Sequence, residues 1–386
     1  MSLLDHRSSA EASADSGDPE ARRQVHFVGS LPPAVAPTDR AGMQWLLDHA
    51  GAMRLTTLPC DRDPRWIIDW LESLRDRGPF ELVLDGDSSG YTRMPAYRLR
   101  PGDTLAPGDV GPRRAQEVSA AIAARRQLSA ADLPPYQVSM PAPLDLSLFA
   151  FGVPAATMRL LPAAAALRAI RSALAHLPTF TAAIVAEVDQ IRQLADRWSE
   201  DIVIQLESPA VMVAYDRAPR AAWPLVTRML TRQLAGVITA LPPQTLLVLH
   251  GWCRGDLEHK PISGMRDLAP LVAFTNALAA RLDRAGYPMP PLHIALCDGE
   301  TAPSTRPSDY EVLRRLRADV QLYAGLVDEH HPHASARALE LVEQALGRPV
   351  DAVAAACGLG RRTPEEAEAN IALAWQLSAA PVPTTP

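Results

Sequence analysis

Short apolar runs alternate with longer amphipathic segments along most of the 386-residue chain. Eight of the runs have the length and bulk of strands that are buried on both faces. They span residues 25–31, 52–59, 136–143, 201–209, 245–253, 291–297, 319–328 and 351–359. Segments with helical periodicity follow most of them, at residues 159–175, 179–198, 223–240, 266–284, 308–317, 335–347 and 364–378. This alternation predicts an α/β fold, a single (β/α)8 TIM barrel.

One interval interrupts the alternation, at residues 67–135 between the second and third predicted strands. It contains short helix-like and strand-like pieces, which we interpret as an insertion over the mouth of the barrel. Residues 1–23 are mostly small, polar and charged, and they predict a disordered leader because they contain too few apolar side chains to pack. The barrel is therefore expected over residues 24–379, followed by a flexible tail at residues 380–386.

Composition narrows the classes of partner. The formal net charge of −6 and the lack of a lysine or arginine cluster argue against a nucleic-acid partner. We expect no membrane span and no signal peptide, because the chain has neither a run of about eighteen uncharged apolar residues nor a basic-then-apolar N-terminus. Four cysteines in a chain this long predict reduced thiols. We expect a cytoplasmic protein, a monomer or a homodimer, that acts on a small molecule.

The fifth apolar run ends in two soft metal-ligand side chains. The stretch TLLVLHGWCRGD, residues 245–256, begins as a buried strand and delivers His250 and Cys253 where that strand leaves the core. In a parallel barrel the carboxyl ends of all the strands converge on one mouth. Side chains at the other strand ends are therefore expected to meet these two.

The later strand ends carry the same kind of chemistry. They offer Cys297 with Glu300, Asp328 with His330, and Cys357. One histidine and three cysteines at the ends of three strands predict a zinc site, because zinc prefers thiolate and imidazole ligands. Ligands gathered from distant strands indicate an active-site metal, and zinc keeps a bound thiol deprotonated and nucleophilic at neutral pH.

Polar residues at other strand ends are candidates for substrate contacts. Glu207 ends the fourth run, where a carboxylate needs a cation or hydrogen-bond donors, so it binds a substrate ammonium or forms a structural salt bridge. Gly29 and Ser30 close the first strand, where they hold a substrate carboxylate or form a plain turn. His330, with Asp328 as orienting partner, protonates a leaving group or is a solvated loop residue.

Five segments resemble the C-terminal catalytic barrel of cobalamin-independent methionine synthase and its shorter single-barrel relatives. The likeness covers most of residues 25–378. Its segments are VGSLP (28–32), QLESPA (205–210), LHGWCRGD (249–256), VDEHHP (327–332) and ACGLGRRTPEE (356–366). The resemblance implies that Ser30 and the backbone beside Gly29 contact the carboxylate of an amino-acid substrate, and that Glu207 holds its amino group. It also implies that Asp328 and His330 act as an acid/base pair.

The same resemblance implies a zinc shell of His250, Cys253 and Cys357, completed by Cys297 or Glu300. The chain departs from the family in the spacing of the first two ligands, which is H-x-C in the family and one residue longer here. If Cys253 keeps its place, Gly251 occupies the histidine position and His250 reaches in from beside it. The tryptophan that the family places after the third strand is also missing from PAPLDLSLF.

These observations predict zinc-dependent alkyl transfer, most simply methyl transfer to a thiol such as homocysteine, with a methylated folate as one candidate donor. Two alternatives stay open. The first is an enzyme that forms or breaks a different carbon–sulfur bond, or a decarboxylase, on the same barrel. The second is a non-catalytic barrel that binds a metal or a small ligand.

Overall fold

The computed structural model describes residues 23–381, apart from 62–64, 129–131, 156–162, 256, 258 and 259. The predicted leader apart from its last residue, and most of the predicted tail, lie outside the described residues. That last residue, Arg23, is buried and donates to the Glu343 carboxylate at 2.5 Å. The described strands are β1 (Gln24–His26), β2 (Leu58–Pro59), β3 (Phe80–Leu84), β4 (Ala96–Leu99), β5 (Tyr136–Pro141), β6 (Ile202–Glu207), β7 (Leu246–Trp252), β8 (Leu292–Ala295), β9 (Leu322–Val327) and β10 (Ala352–Ala355). The described helices are α1 (Asp39–Ala50), α2 (Ile68–Ser73), α3 (Pro107–Val110), α4 (Ala115–Arg125), α5 (Pro143–Ala150), α6 (Val153–Ala155), α7 (Ala163–Trp198), α8 (Ala210–Arg217), α9 (Trp223–Ala240), α10 (Ala269–Ala285), α11 (Pro332–Leu346) and α12 (Pro364–Ala379).

Eight strands form one curled sheet in the order β1-β10-β9-β8-β7-β6-β5-β2, with parallel pairing throughout. A parallel bridge between Val25 and Leu55 links the two ends of that order. It rests on hydrogen bonds from the Val25 amide to the Arg54 carbonyl (2.9 Å) and from the Thr56 amide to the Val25 carbonyl (3.0 Å). Seven of these strands lie within a predicted run, and β1 begins one residue before the run predicted at 25–31. The predicted α/β fold with a parallel sheet is confirmed, and the curled eight-stranded sheet is consistent with the predicted TIM barrel.

The predicted helical segments differ from the structure at two places, and the helices α1, α5, α6 and α8 lie outside all of those segments. The segments 159–175 and 179–198 were expected as separate helices, but α7 runs through Pro178 as one helix over its described length. The helix predicted at 308–317 is wrong, because that segment forms only short 3-10 turns. The Asn276 side chain of α10 binds the backbone of Arg315 and Arg317, which ends helical hydrogen bonding there.

Within residues 67–135 the structure has α2, an antiparallel hairpin of β3 and β4, and the helices α3 and α4. The hairpin connection contacts the loop after β7, where the Tyr91 hydroxyl accepts a hydrogen bond from the Leu257 amide at 3.2 Å. Arg114, just before α4, reaches the carbonyl of Ser139 in β5. These contacts join the interval to the carboxyl ends of the parallel strands. The domain limits drawn from the sequence remain predictions.

One described helix, over Ala164–Trp198, is long and apolar enough to cross a membrane by length and composition alone. The sequence pattern had not indicated such a segment. The helix packs against α3, α4 and α5, and 22% of its most apolar window is buried. A single helix of this kind is weak evidence for a membrane, since core helices pass the same test. That the protein has no membrane partner stays a prediction.

Candidate metal and substrate site

Three predicted zinc ligands lie together at the carboxyl ends of β7 and β10. The ligand atoms of His250, Cys253 and Cys357, which we call the His–Cys–Cys cluster, all lie within 4.8 Å of one another. His250 belongs to β7, Cys253 follows that strand directly, and Cys357 follows β10. Parallel strands three positions apart in the sheet thus bring distant parts of the sequence to one point.

A β-bulge at Gly251 explains the unusual spacing of the first two ligands. His250 pairs with His293 across β7 and β8, but Trp252 pairs with Ile294, so two steps on β7 match one step on β8. In a regular strand, residues three apart point to opposite faces. Because the bulge adds one residue to β7, the side chains of His250 and Cys253 can point to the same face of the sheet. The longer spacing is therefore compatible with a shared metal.

His293, which the sequence analysis did not select, fixes the orientation and the tautomer of His250. Its Nε2 lies 2.9 Å from the Ala355 carbonyl, which can only accept, so Nε2 carries the proton. Burial lowers the pKa of His293 to about 4 and that of His250 well below its usual value, so both rings are neutral. The bare Nδ1 of His293 then accepts from Nδ1–H of His250 at 2.7 Å. This leaves the lone pair of His250 Nε2 free for a metal.

The cluster fits zinc in its donor set. Tetrahedral zinc, with bonds of about 2.3 Å to sulfur and 2.0 Å to nitrogen, holds its ligand atoms roughly 3.3–3.8 Å apart. The separations in this structure are all within 4.8 Å, so they exceed these values by at most about 1.5 Å, which side-chain rotation can close. Three protein ligands with one open position are typical of catalytic zinc sites.

The other candidate ligands lie outside this group of atoms. Cys297 is buried between Ala295 and Ala356, its Sγ lies 3.6 Å from the Gly325 carbonyl, and burial raises the pKa of its thiol. Glu300 is exposed in the turn after β8. The structure thus brings together three of the five residues proposed as ligands.

A cavity of about 1080 Å³ opens beside the cluster, and its wall includes all three cluster residues together with Ser30 and Glu207. Glu207 ends β6, pairs with His250 in the sheet register, and is buried. Its carboxylate accepts hydrogen bonds from the Trp66 indole and from Gln205 Nε2 (2.9 Å). Burial and the nearby Asp61 charge raise the pKa of Glu207 to about 7. A cation in the cavity would stabilise its charged form.

Asp61 is a second carboxylate of this cavity that the sequence analysis missed. Arg114 Nη2 donates to its Oδ1 at 2.6 Å, while its Oδ2 is buried without a hydrogen-bond partner among the described residues. A Cβ at Gly29 would lie only 3.3 Å from that oxygen, so the glycine leaves room beside it. A polar residue directly after the second predicted strand was the only available signal, since its partner Arg114 is 53 residues away.

Ser30 lies against the turn that carries Cys357. Its carbonyl accepts from the Leu359 amide at 2.7 Å, and a Cβ on Gly358 would come within 2.5 Å of the Ser30 hydroxyl. Gly358 therefore allows the first strand end to approach the cluster. Ser30 and Glu207 line the same cavity, as a shared substrate-binding role requires.

Asp328 and His330 line a second, smaller cavity of about 170 Å³ that also borders Cys253 and Cys357. The histidine expected to pair with Asp328 is not the one that does. Asp328 Oδ2 accepts from the ring of His331 at 2.9 Å, whereas His330 gives Asp328 only its backbone amide. The His330 side chain is 59% exposed, and its Nε2 lies 3.6 Å from a Glu366 oxygen.

Comparisons with known proteins agree with this architecture. No protein-family model matches the chain, and no curated protein matches its sequence. A methyltransferase from Methanosarcina mazei has a similar structure, with a TM-score of 0.51 and 14% identity over 93% of this chain and 95% of that one. A B12-independent methionine synthase from Shewanella sp. W3-18-1, in complex with selenomethionine, gives a TM-score of 0.55 and 11% identity over 93% and 97%. The resemblance drawn from the sequence is confirmed, and at these identities it shows the fold.

Proposed function

We propose that this protein transfers a methyl or other alkyl group to the sulfur of a thiol, with zinc held by His250, Cys253 and Cys357. The observation that carries the proposal is the convergence of two thiols and a free imidazole nitrogen on the wall of a large cavity. The methyltransferase and methionine synthase among the structural neighbours support it at the level of the fold. Bound zinc keeps a thiol substrate deprotonated at neutral pH.

The acceptor that suits this cavity is an amino-acid thiol such as homocysteine. Glu207 is a buried carboxylate without an ion-pair partner among the described side chains, and a substrate amine would supply the opposite charge. Asp61 is paired with Arg114 through Oδ1, which leaves its buried Oδ2 to accept a hydrogen bond from the same amine. We place the substrate carboxylate at the Ser30 hydroxyl and the backbone beside Gly29. Trp66 and Gln205 hold the Glu207 carboxylate in one orientation.

The transfer step needs one proton at most. The thiolate sulfur forms a bond to the alkyl carbon while the bond between that carbon and the donor breaks, and the electron pair leaves with the donor. A methylated folate leaves as a nitrogen anion and must be protonated, whereas a sulfonium donor leaves as a neutral thioether. His330 is the proposed acid for the first case, since it shares the smaller cavity with Cys253 and Cys357.

Metal analysis of purified variants tests the ligand set. Wild-type protein should hold about one zinc per chain, and Cys253→Ser and Cys357→Ser should each lose it, because serine is a poor zinc ligand. Cys297→Ser is the matched control: the same change at a cysteine outside the cluster should leave zinc bound. Full occupancy in both cluster variants would contradict the proposal. Zinc loss in Cys297→Ser would put that thiol in the shell and close the open position.

A further inference from the structure

The large cavity has two chemically different parts. One part is polar: it includes Asp61, Glu207 and Arg114 near the His–Cys–Cys cluster, and further charged residues in the segments 65–77 and 113–117. The wall supplied by helices α5 to α9, which we call the apolar arm, is aliphatic and aromatic over the described residues, with Arg217 as the exception. The arm and the cluster line the same cavity.

The apolar arm extends from the cavity to the protein surface. Leu148 of α5 and Val213 of α8 lie on its wall, and Ile170 of α7 and Met229 of α9 lie there as well. Met229 is 51% exposed, which places it at the opening. Apolar surface facing a wide solvent-filled space is unfavourable, and a ligand that covers it gains the corresponding transfer free energy.

The size of the cavity argues in the same direction. About 1080 Å³ is at the upper limit of ligand sites and far exceeds what an amino-acid thiol occupies. The charged residues of the segments 65–77 and 113–117 line the cavity outside the arm. A polar group in the arm itself would need polar partners, and the described arm offers one charged side chain, Arg217. An apolar substituent needs no such partners.

We infer that the substrate of the large cavity is amphipathic, with its reacting end at the cluster and an apolar substituent of several carbon atoms in the apolar arm. This inference rests on the proposed function for the reacting end only. The arm itself is defined by its lining and does not depend on a metal.

Displacement of the dye anilinonaphthalene sulfonate by a series of straight-chain alcohols tests the arm without any metal. From butanol to octanol, the affinity for the alcohol should rise about fourfold per added methylene, because moving each methylene from water into an apolar site is favourable by about 0.8 kcal/mol. This gain in affinity per methylene should be smaller in the Met229→Glu and Val213→Gln variants. Leu225→Glu is the matched control, because Leu225 is 60% exposed on the same helix α9 but does not line the cavity. Thermal melts establish that each variant is folded.

Straight-chain thiols on cobalt-loaded protein connect the arm to the cluster. Their affinity should show the same dependence on chain length, together with a sulfur-to-cobalt charge-transfer band. Alcohol binding that does not depend on chain length, or that Met229→Glu and Val213→Gln leave unchanged, would overturn the inference. So would thiols that bind cobalt with no dependence on chain length. If the thiols fail to ligate cobalt while the alcohols keep their gain in affinity per methylene, the proposed function fails and the apolar arm stands.

Discussion

Replacing His293 with phenylalanine removes the group that keeps His250 in the tautomer that the proposed zinc site requires. Nδ1–H of His250 would lose its acceptor at 2.7 Å, and the Ala355 carbonyl would lose its donor at 2.9 Å. Burial lowers the pKa of His250, so its ring stays neutral and does not compensate for the lost hydrogen bond by taking up a second proton. Its proton then has no reason to stay on Nδ1, and a proton on Nε2 blocks the ligand atom.

The size of the effect follows from these two hydrogen bonds. A buried donor without an acceptor costs about 1–3 kcal/mol. Loss of a group that orients a metal ligand typically weakens metal binding about 10- to 100-fold, which corresponds to about 1.4–2.8 kcal/mol. His293→Gln should retain most of the affinity, because its amide offers both an acceptor for His250 and a donor for Ala355.

The assay is a cobalt or zinc titration against a chromophoric chelator, with the cobalt d–d bands as a report on tetrahedral geometry. His26→Phe is the matched control, because the His26 and His293 side chains are both buried and their ring centroids are 5.8 Å apart. His26 is hydrogen-bonded to Thr56 and Gln205 and makes no hydrogen bond to His250. The His26→Phe substitution should lower the free energy of unfolding and leave the metal affinity unchanged. A folded His293→Phe protein with wild-type metal affinity would refute the tautomer argument.

Two further predictions concern the substrate side of the site. The pKa of Glu207 is raised from 4.5 to about 7, so its contribution to stability is fully present below about pH 4.5 and is lost as the pH rises through 7. Binding of methionine, which has no thiol to titrate, should strengthen with pH through about 7 in the wild type and become flat in Glu207→Gln. Unchanged pH dependence would remove Glu207 from amine binding. His330→Ala should slow turnover roughly 10²–10⁴-fold with a donor that needs a proton, and little with a sulfonium donor. If His331→Ala produces that loss and His330→Ala does not, the acid is the ring that Asp328 holds.

The part of the site that the sequence made predictable depends on position along single strands. An apolar run identifies a buried strand, and parallel pairing sends the residues after each run to one end of the sheet. That reasoning was enough for His250, Cys253 and Cys357, and for Glu207 on the cavity wall. It was not enough to separate Cys297 from the cluster, because two residues at strand ends can face different sides of the same turn.

The residues that escaped prediction act through contacts between distant segments. His293 appeared as one polar position within an apolar run, and its role depends on His250 and on a backbone carbonyl 62 residues further on. Asp61 depends on Arg114, and Asp328 selects between two adjacent histidines by local backbone geometry. None of these partners is marked by spacing or periodicity.

The bulge at Gly251 shows how a change that looks unfavourable in the sequence is absorbed in the fold. In a regular strand, one extra residue between two ligands turns one of them to the opposite face. The two side chains could then no longer bind the same metal. The register between β7 and β8 shifts at that residue, while His250 stays paired with Glu207 on one side and with His293 on the other. The ligand and its orienting partner are therefore fixed by the sheet before the bulge, and only the chain leading to Cys253 is rerouted. Spacing along the chain is a weaker constraint on a metal site than the strand register that precedes it.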